Sequence, residues 1–136
     1  QDALHFWVRS ARELLRASGH ADIGDEQVGE VLARVPMGTD GAWPHEAVRT
    51  LLEDLASEDV ERGMYVGAIK KRGVTCRSPD TGGEPELRLA EQYEGWAGTV
   101  QNGSPRTARL LRQIASGYRS EAKREDDRRD LDEFWS

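Results

Sequence analysis

Apolar residues recur along this chain at the spacing of helix faces. Leu4, Trp7, Val8, Ala11, Leu14 and Leu15 fall at i, i+3, i+4 and i+7, which predicts an amphipathic helix over residues 2–18. Gly19 stands where a glycine closes such a helix. Asp25 precedes EQVGEVLARV as a cap, and Val28, Val31, Leu32 and Val35 make a second, shorter stripe that Pro36 stops. MGTDGA, residues 37–42, is turn material. Trp43-Pro44 opens a third helix, with Pro44 at its first position, Glu46 near its positive end, and Ala47, Val48, Leu51, Leu52 and Leu55 along one face. Ser57 caps a fourth helix that ends near Lys71 or Arg72, followed by Gly73. Gly63 and Gly67 each cost that helix roughly 1 kcal/mol relative to alanine. Four residues apart, they share a face and permit close packing against another helix.

The second half reads as a helical hairpin. Pro85 opens ELRLAEQYEGWA, a helix over 86–98 closed by Gly98 and the NGS turn. Ser104-Pro105 then pairs a cap with a first-turn proline and launches a long helix over 105–130. Leu111, Ile114, Ala115, Tyr118 and Ala122 share one side of it, and Arg109, Arg112, Arg119 and Lys123 lie nearly opposite. REDDRRD then interrupts the apolar stripe, and Leu131, Phe134 and Trp135 restore apolar weight. These last aromatics either fold back on the domain's own core, the more ordinary outcome, or form a docking tip on a solvated spacer. Residues 73–85, with two prolines and a Gly-Gly pair, form a crossover loop between an acidic helical half (1–72) and the hairpin (86–136).

The pattern predicts an all-α single domain of five to six helices packed as antiparallel pairs. Leu51, Leu52, Leu55, Leu87, Ala90, Leu111, Ile114 and Tyr118 are its expected core, with Trp43 and Trp96 largely buried and their N–H groups satisfied. The full 136 residues make an ordinary domain length. No apolar run approaches the ~20 residues of a membrane span. The single Cys76 rules out an internal disulfide and fits a reducing, cytoplasmic setting. No leader is legible, and a start at Gln1 suggests a piece of a longer protein. The net charge of −6 is uneven: residues 1–63 hold six Lys/Arg against thirteen Asp/Glu, and residues 64–136 thirteen against twelve.

WPHEAVRTLLEDL (43–55), ERGMYVGAIKKRGVTCRSPDTGGEPELRLAEQYEGWA (61–97) and PRTARLLRQIASGYRSEAKREDDRRDL (105–131) together resemble the C-terminal segment of large actinobacterial proteins. The resemblance covers roughly two-thirds of the chain. It implies a terminal module of a larger bacterial protein, with no assigned activity and no functional residue to carry over. The block departs at GGEPE, where proline follows Gly-Gly in place of a polar run, and this leaves the start of the fifth helix open.

The residues of catalysis are poorly represented. His5, His20, His45 and Cys76 are scattered singly, without the spacing of metal ligands, so no cofactor or metal is expected. Cys76 has basic neighbours that favour a thiolate, but no histidine is placed beside it by the sequence. His45 is expected at the surface or in a cap. No phosphate-cradling loop or nucleophile elbow is present. The chain is therefore expected to be non-enzymatic, a protein-interaction or self-association module. Its candidate contact residues are Phe134, Trp135, Arg109, Arg112, Arg119 and Lys123. The alternative is a nucleic-acid-binding domain that uses the basic clusters at 70–77 and 106–124, although Glu125, Asp126 and Asp127 would repel phosphates beside them.

Overall fold

A computed structural model describes residues 2–17, 19, 21–72 and 82–135, and these contain six helices and no strand. They are α1 (Asp2–Ala17), α2 (Ala21–Leu32), α3 (Glu46–Leu55), α4 (Glu58–Arg72), α5 (Glu84–Val100) and α6 (Pro105–Trp135). The all-α architecture expected from apolar periodicity is the one observed. Cys76 and most of the crossover loop lie outside the described residues.

Two helix pairs dominate the packing: α5 with α6, and α2 with α4. The hairpin α5–α6 is antiparallel, and the Gly-Gly pair sets how closely it shuts. A Cβ on Gly83 would lie 2.2 Å from the Ala122 carbonyl oxygen, so only glycine lets the start of α5 touch α6 there. The Gly83 N–H then donates to Asp126 Oδ1 at 2.8 Å, which gives α5 a cap from the facing helix. In contrast, α2 and α4 run in the same direction with α3 between them in sequence. Glu26 faces Arg62 (3.1 Å) and Glu30 faces Lys70 (2.8 Å). Between these ion pairs the two backbones touch. A Cβ on Gly63 would sit 2.0 Å from the Glu26 carbonyl oxygen, and one on Gly29 would sit 2.0 Å from that of Val60. The close packing expected of Gly63 and Gly67 is real, and Gly29 is its unforeseen counterpart.

One contiguous core joins all six helices, including Val8, Leu32, Leu51, Met64, Ala90, Leu111, Ile114 and Tyr118. Leu55 packs at its margin. Leu87 does not belong to it and is 42% exposed. The inward face of α5 runs through Glu86, Ala90, Ala97 and Val100, and Leu87 lies one residue, about 100°, around from it. A fully buried Glu86 hid that register from a reading based on apolar residues. Trp7 is likewise 46% exposed, because Val8 takes the inward position on α1.

Long-range polar contacts decide several helix ends. Asp25 is not a cap: it lies inside α2, buried, and accepts from Arg12 of α1 (3.0 and 3.2 Å) and from Ser57 Oγ (3.2 Å). Ser57 does cap α4, accepting from the Val60 N–H. Pro44 precedes α3 rather than beginning it. His45 is the N-cap, and its Nδ1 accepts from the Ala47 N–H at 3.1 Å. At the start of α6, Glu53 of α3 accepts from the N–H groups of Arg106 (2.8 Å) and Thr107 (3.2 Å), the role expected of Ser104.

The connector between α2 and α3 is tied by one side chain. Arg49, 7% exposed, donates to both oxygens of Asp40 (2.7 and 2.8 Å) and to the carbonyls of Pro44 (2.6 Å) and Ala42 (2.8 Å). The guanidinium holds the Asp40 carboxyl well below the usual carboxylate range. Glu46 accepts from both the N–H and hydroxyl of Thr39, which lowers its own pKa. Trp43 is buried as expected, its indole N–H donating to the Val35 carbonyl at 2.9 Å. Trp96 is only partly buried, edge-on to Tyr93.

Candidate functional site

The helix α6 outruns its partner. The start of α5 meets α6 at Ala122 and Asp126, and nine further residues carry α6 about 13 Å beyond that point at 1.5 Å per residue. Local charge pairs support these turns: Arg128 with Glu125 (3.3 Å), and Arg129 with Asp126 (3.9 Å) and Asp130 (3.8 Å). The two i,i+3 pairs are each worth only about 0.2–0.5 kcal/mol on a helix surface, so they hold the helix without burying it.

On this extension Leu131 is 55% exposed and Phe134 and Trp135 are each 78% exposed. The two aromatics rest edge-on against each other at 5.3 Å, and neither returns to the core. Fold-back, the more ordinary of the two expectations, is not what occurs. At 100° per residue, the mean direction of Leu131, Phe134 and Trp135 is roughly 150° round the helix from that of Leu111, Ile114, Tyr118 and Ala122. The apolar tip is a separate stripe turned away from α5, and its neighbours on that face are Arg124, Asp127 and Arg128.

The basic stripe is less available than its sequence suggests. Glu61 of α4 is buried and accepts from Arg106 Nε (2.7 Å) and Arg109 Nη2 (3.0 Å), pinning α6 to α4. Arg112 donates to Gln101 Oε1 at 2.7 Å, within the hairpin turn. Arg119 pairs with Glu94 across α5–α6, and each holds the other in its charged form. In the second cluster Lys70 is paired with Glu30. The side chains of Lys71 and Arg72, and all of Arg77, lie outside what is described. Lys123 is exposed on α6 beside Arg124. Of the four basic candidates none lies beside the aromatic pair: Lys123, the nearest, is eleven residues, about 16 Å along α6, from Phe134. Arg109, Arg112 and Arg119 serve the packing of the helices.

Among the described residues are several open clefts, and two of them border the hairpin α5–α6. One of about 370 Å³ lies between α4 and α6 beside Tyr65 and Arg109, and its deepest carboxylate, Glu61, is already held by two arginines. The other, about 420 Å³, is lined by Pro36, Met37, Trp43, Tyr93 and Trp96. Burial pushes the Tyr93 hydroxyl up to about 12, so it stays neutral. Among the described residues no three His, Cys, Asp or Glu side chains converge as metal ligands, and no helix is long and apolar enough to cross a membrane. Comparison with protein-family models, with curated proteins and with solved structures finds no match to this chain.

Proposed function

We propose that the chain is a non-enzymatic helical interaction module whose contact surface is the outward face of the last turns of α6. The observation that carries this reading is the exposure of Phe134 and Trp135, 78% each, on a helix that projects past its neighbour and away from the core. Aromatic residues concentrate at the energetic centres of protein interfaces, and a rigid helix presents them without the entropic cost of ordering a loop. Nucleic-acid binding loses ground because Arg109, Arg119 and Lys70 already have carboxylate partners. A cytoplasmic setting as part of a larger bacterial protein, suggested by the lone cysteine and by the resemblance, belongs to the same reading.

Ending the chain after Asp132 tests it. At low protein concentration, where association does not contribute, the melting temperature is expected to stay within about 2 °C of the intact chain, as for a surface change. A large fall would mean that Phe134 and Trp135 complete the core, and the interaction reading would be lost.

A further inference from the structure

We propose that the cleft between the α2–α3 connector and α5 binds an extended, proline-containing segment of a partner protein. It lies at the end of α5 away from the α6 tip, and the proposal stands whether or not that tip is a contact surface. The cleft, about 420 Å³, has the size of an ordinary ligand site. Pro36 and the half-exposed Met37 form one wall, and Gln92, Tyr93 and Trp96 the other. The buried Trp43 touches both, and none of the described lining residues is charged.

Hydrogen-bonding capacity at this surface is one-sided. The Val35 carbonyl already accepts from the Trp43 indole, and the Pro36 carbonyl from the His45 N–H. Among the described residues, by contrast, nothing accepts from the Trp96 indole N–H or the Tyr93 hydroxyl. Neither group is sealed from solvent. Burial pushes the Tyr93 hydroxyl up to about 12, so it keeps the proton it would donate. A cleft with spare donors and occupied acceptors suits a chain that offers carbonyl oxygens and lacks N–H groups. Proline supplies that combination, and in a polyproline II helix its carbonyls have no internal partner.

Ring geometry favours the same occupant. The centroids of Trp43, Tyr93 and Trp96 lie 5.0, 6.0 and 6.3 Å apart, and Tyr93 stands edge-on to both indoles. Positions i and i+2 of a polyproline II helix are about 6 Å apart, a comparable spacing. An amphipathic helix anchored at i and i+7 needs about 10 Å. The described residues hold no strand to which another could be added. A quaternary ammonium ligand would find aromatic faces but no carboxylate in the lining. Tyr93 also stacks on the buried Tyr118 at 5.8 Å, so the platform is ordered before a ligand arrives.

Titration of the intact chain with an oligoproline peptide, followed through the indole proton–nitrogen resonances, reads the outcome. The Trp96 signal is expected to move saturably while that of Trp135 holds still. Trp96→Phe keeps a ring and deletes its donor, and Tyr93→Phe deletes the hydroxyl. Each should weaken binding about twofold to tenfold, the range of one hydrogen bond. Because the Tyr93 hydroxyl has no partner within the described chain, Tyr93→Phe should leave the melting temperature unchanged, which separates lost binding from lost fold. A glycine–serine peptide of equal length should bind about tenfold more weakly or less, since it lacks the rings and loses more chain entropy. A Trp96 signal that stays still up to millimolar oligoproline would overturn the proposal. So would equal binding of the glycine–serine peptide, or an affinity untouched by both substitutions. Saturable binding of tetramethylammonium at Trp96 in place of oligoproline would overturn it in favour of a cationic ligand.

Discussion

Gly63→Ala and Gly95→Ala add the same methyl group to two helices and should change stability in opposite directions. On α4, the new Cβ would lie 2.0 Å from the Glu26 carbonyl oxygen and 2.9 Å from its Cα. Both are backbone atoms of α2, so no rotamer change relieves the clash and the two helices must part. Overpacking of this kind typically costs 1–3 kcal/mol, and a rigid backbone neighbour puts the cost at or above the upper end. Alanine returns about 1 kcal/mol of helix propensity. The net loss is therefore about 2 kcal/mol or more, or a fall of about 8 °C in melting temperature for a domain of this size. On α5, nothing lies within 4 Å of a Cβ at Gly95, so only the propensity gain remains, about 0.4–1 kcal/mol of stabilisation. Gly29→Ala meets the same α2–α4 gap from the other side. Combined with Gly63→Ala it should cost less than the sum, because helices already parted admit the second methyl more cheaply. Urea titrations of the four variants measure all of this. A neutral or stabilising Gly63→Ala would refute the backbone contact between α2 and α4, and a destabilising Gly95→Ala would refute the open surface assigned to α5.

Other perturbations probe the core, the connector and its acid sensitivity. Ile114→Ala should cost about 2–5 kcal/mol, while Arg112→Ala, exposed on the other side of α6, should stay within about 0.5 kcal/mol; equal losses in urea would reject the assigned face. Arg49→Lys keeps the charge but loses the forked geometry that serves Asp40, Pro44 and Ala42 together, and should cost about 1–3 kcal/mol by thermal melting. Asp40 is held below its unfolded value of about 3.9, so its stabilising contribution is complete above that pH and is lost as pH falls through the folded value. The stability gap between the wild type and Asp40→Asn should be flat near neutrality and should narrow below about pH 4. A gap that widened on acidification would contradict the Arg49–Asp40 pairing.

The elements were legible where apolar residues repeat at helical spacing, as in the hairpin and along Val48, Leu51 and Leu52. They were misread where a distant partner decides a residue's role. Asp25 has the side chain of a cap, yet Arg12 and Ser57 turn it into a buried anchor, and nothing adjacent in sequence announces either contact. Glu53 displaces Ser104 at the start of α6 for the same reason. The 37–42 segment reads as turn, but its order comes from Arg49, nine residues beyond Asp40. Gly63 and Gly67 declared a small-residue face, while the position of Gly29 opposite them depends on how α2 and α4 are brought together. At the candidate site, the sequence showed that Leu131, Phe134 and Trp135 regain apolar character. It did not show that Arg109 and Arg119 are committed to Glu61 and Glu94, because those carboxylates lie on other helices.

The four indole N–H groups provide the most direct test of the α6 interaction face. Trp43 is buried and bonded to Val35, Trp96 packs against Tyr93, Trp7 lies on α1, and Trp135 stands on the face in question. Their proton–nitrogen resonances can be followed as a soluble paramagnetic agent is added to dilute chain. The Trp135 signal is expected to broaden well before that of Trp43, which would set the last turns of α6 clear of the core. Equal broadening of the two, or protection of Trp135, would contradict the exposed face on which the interaction reading stands.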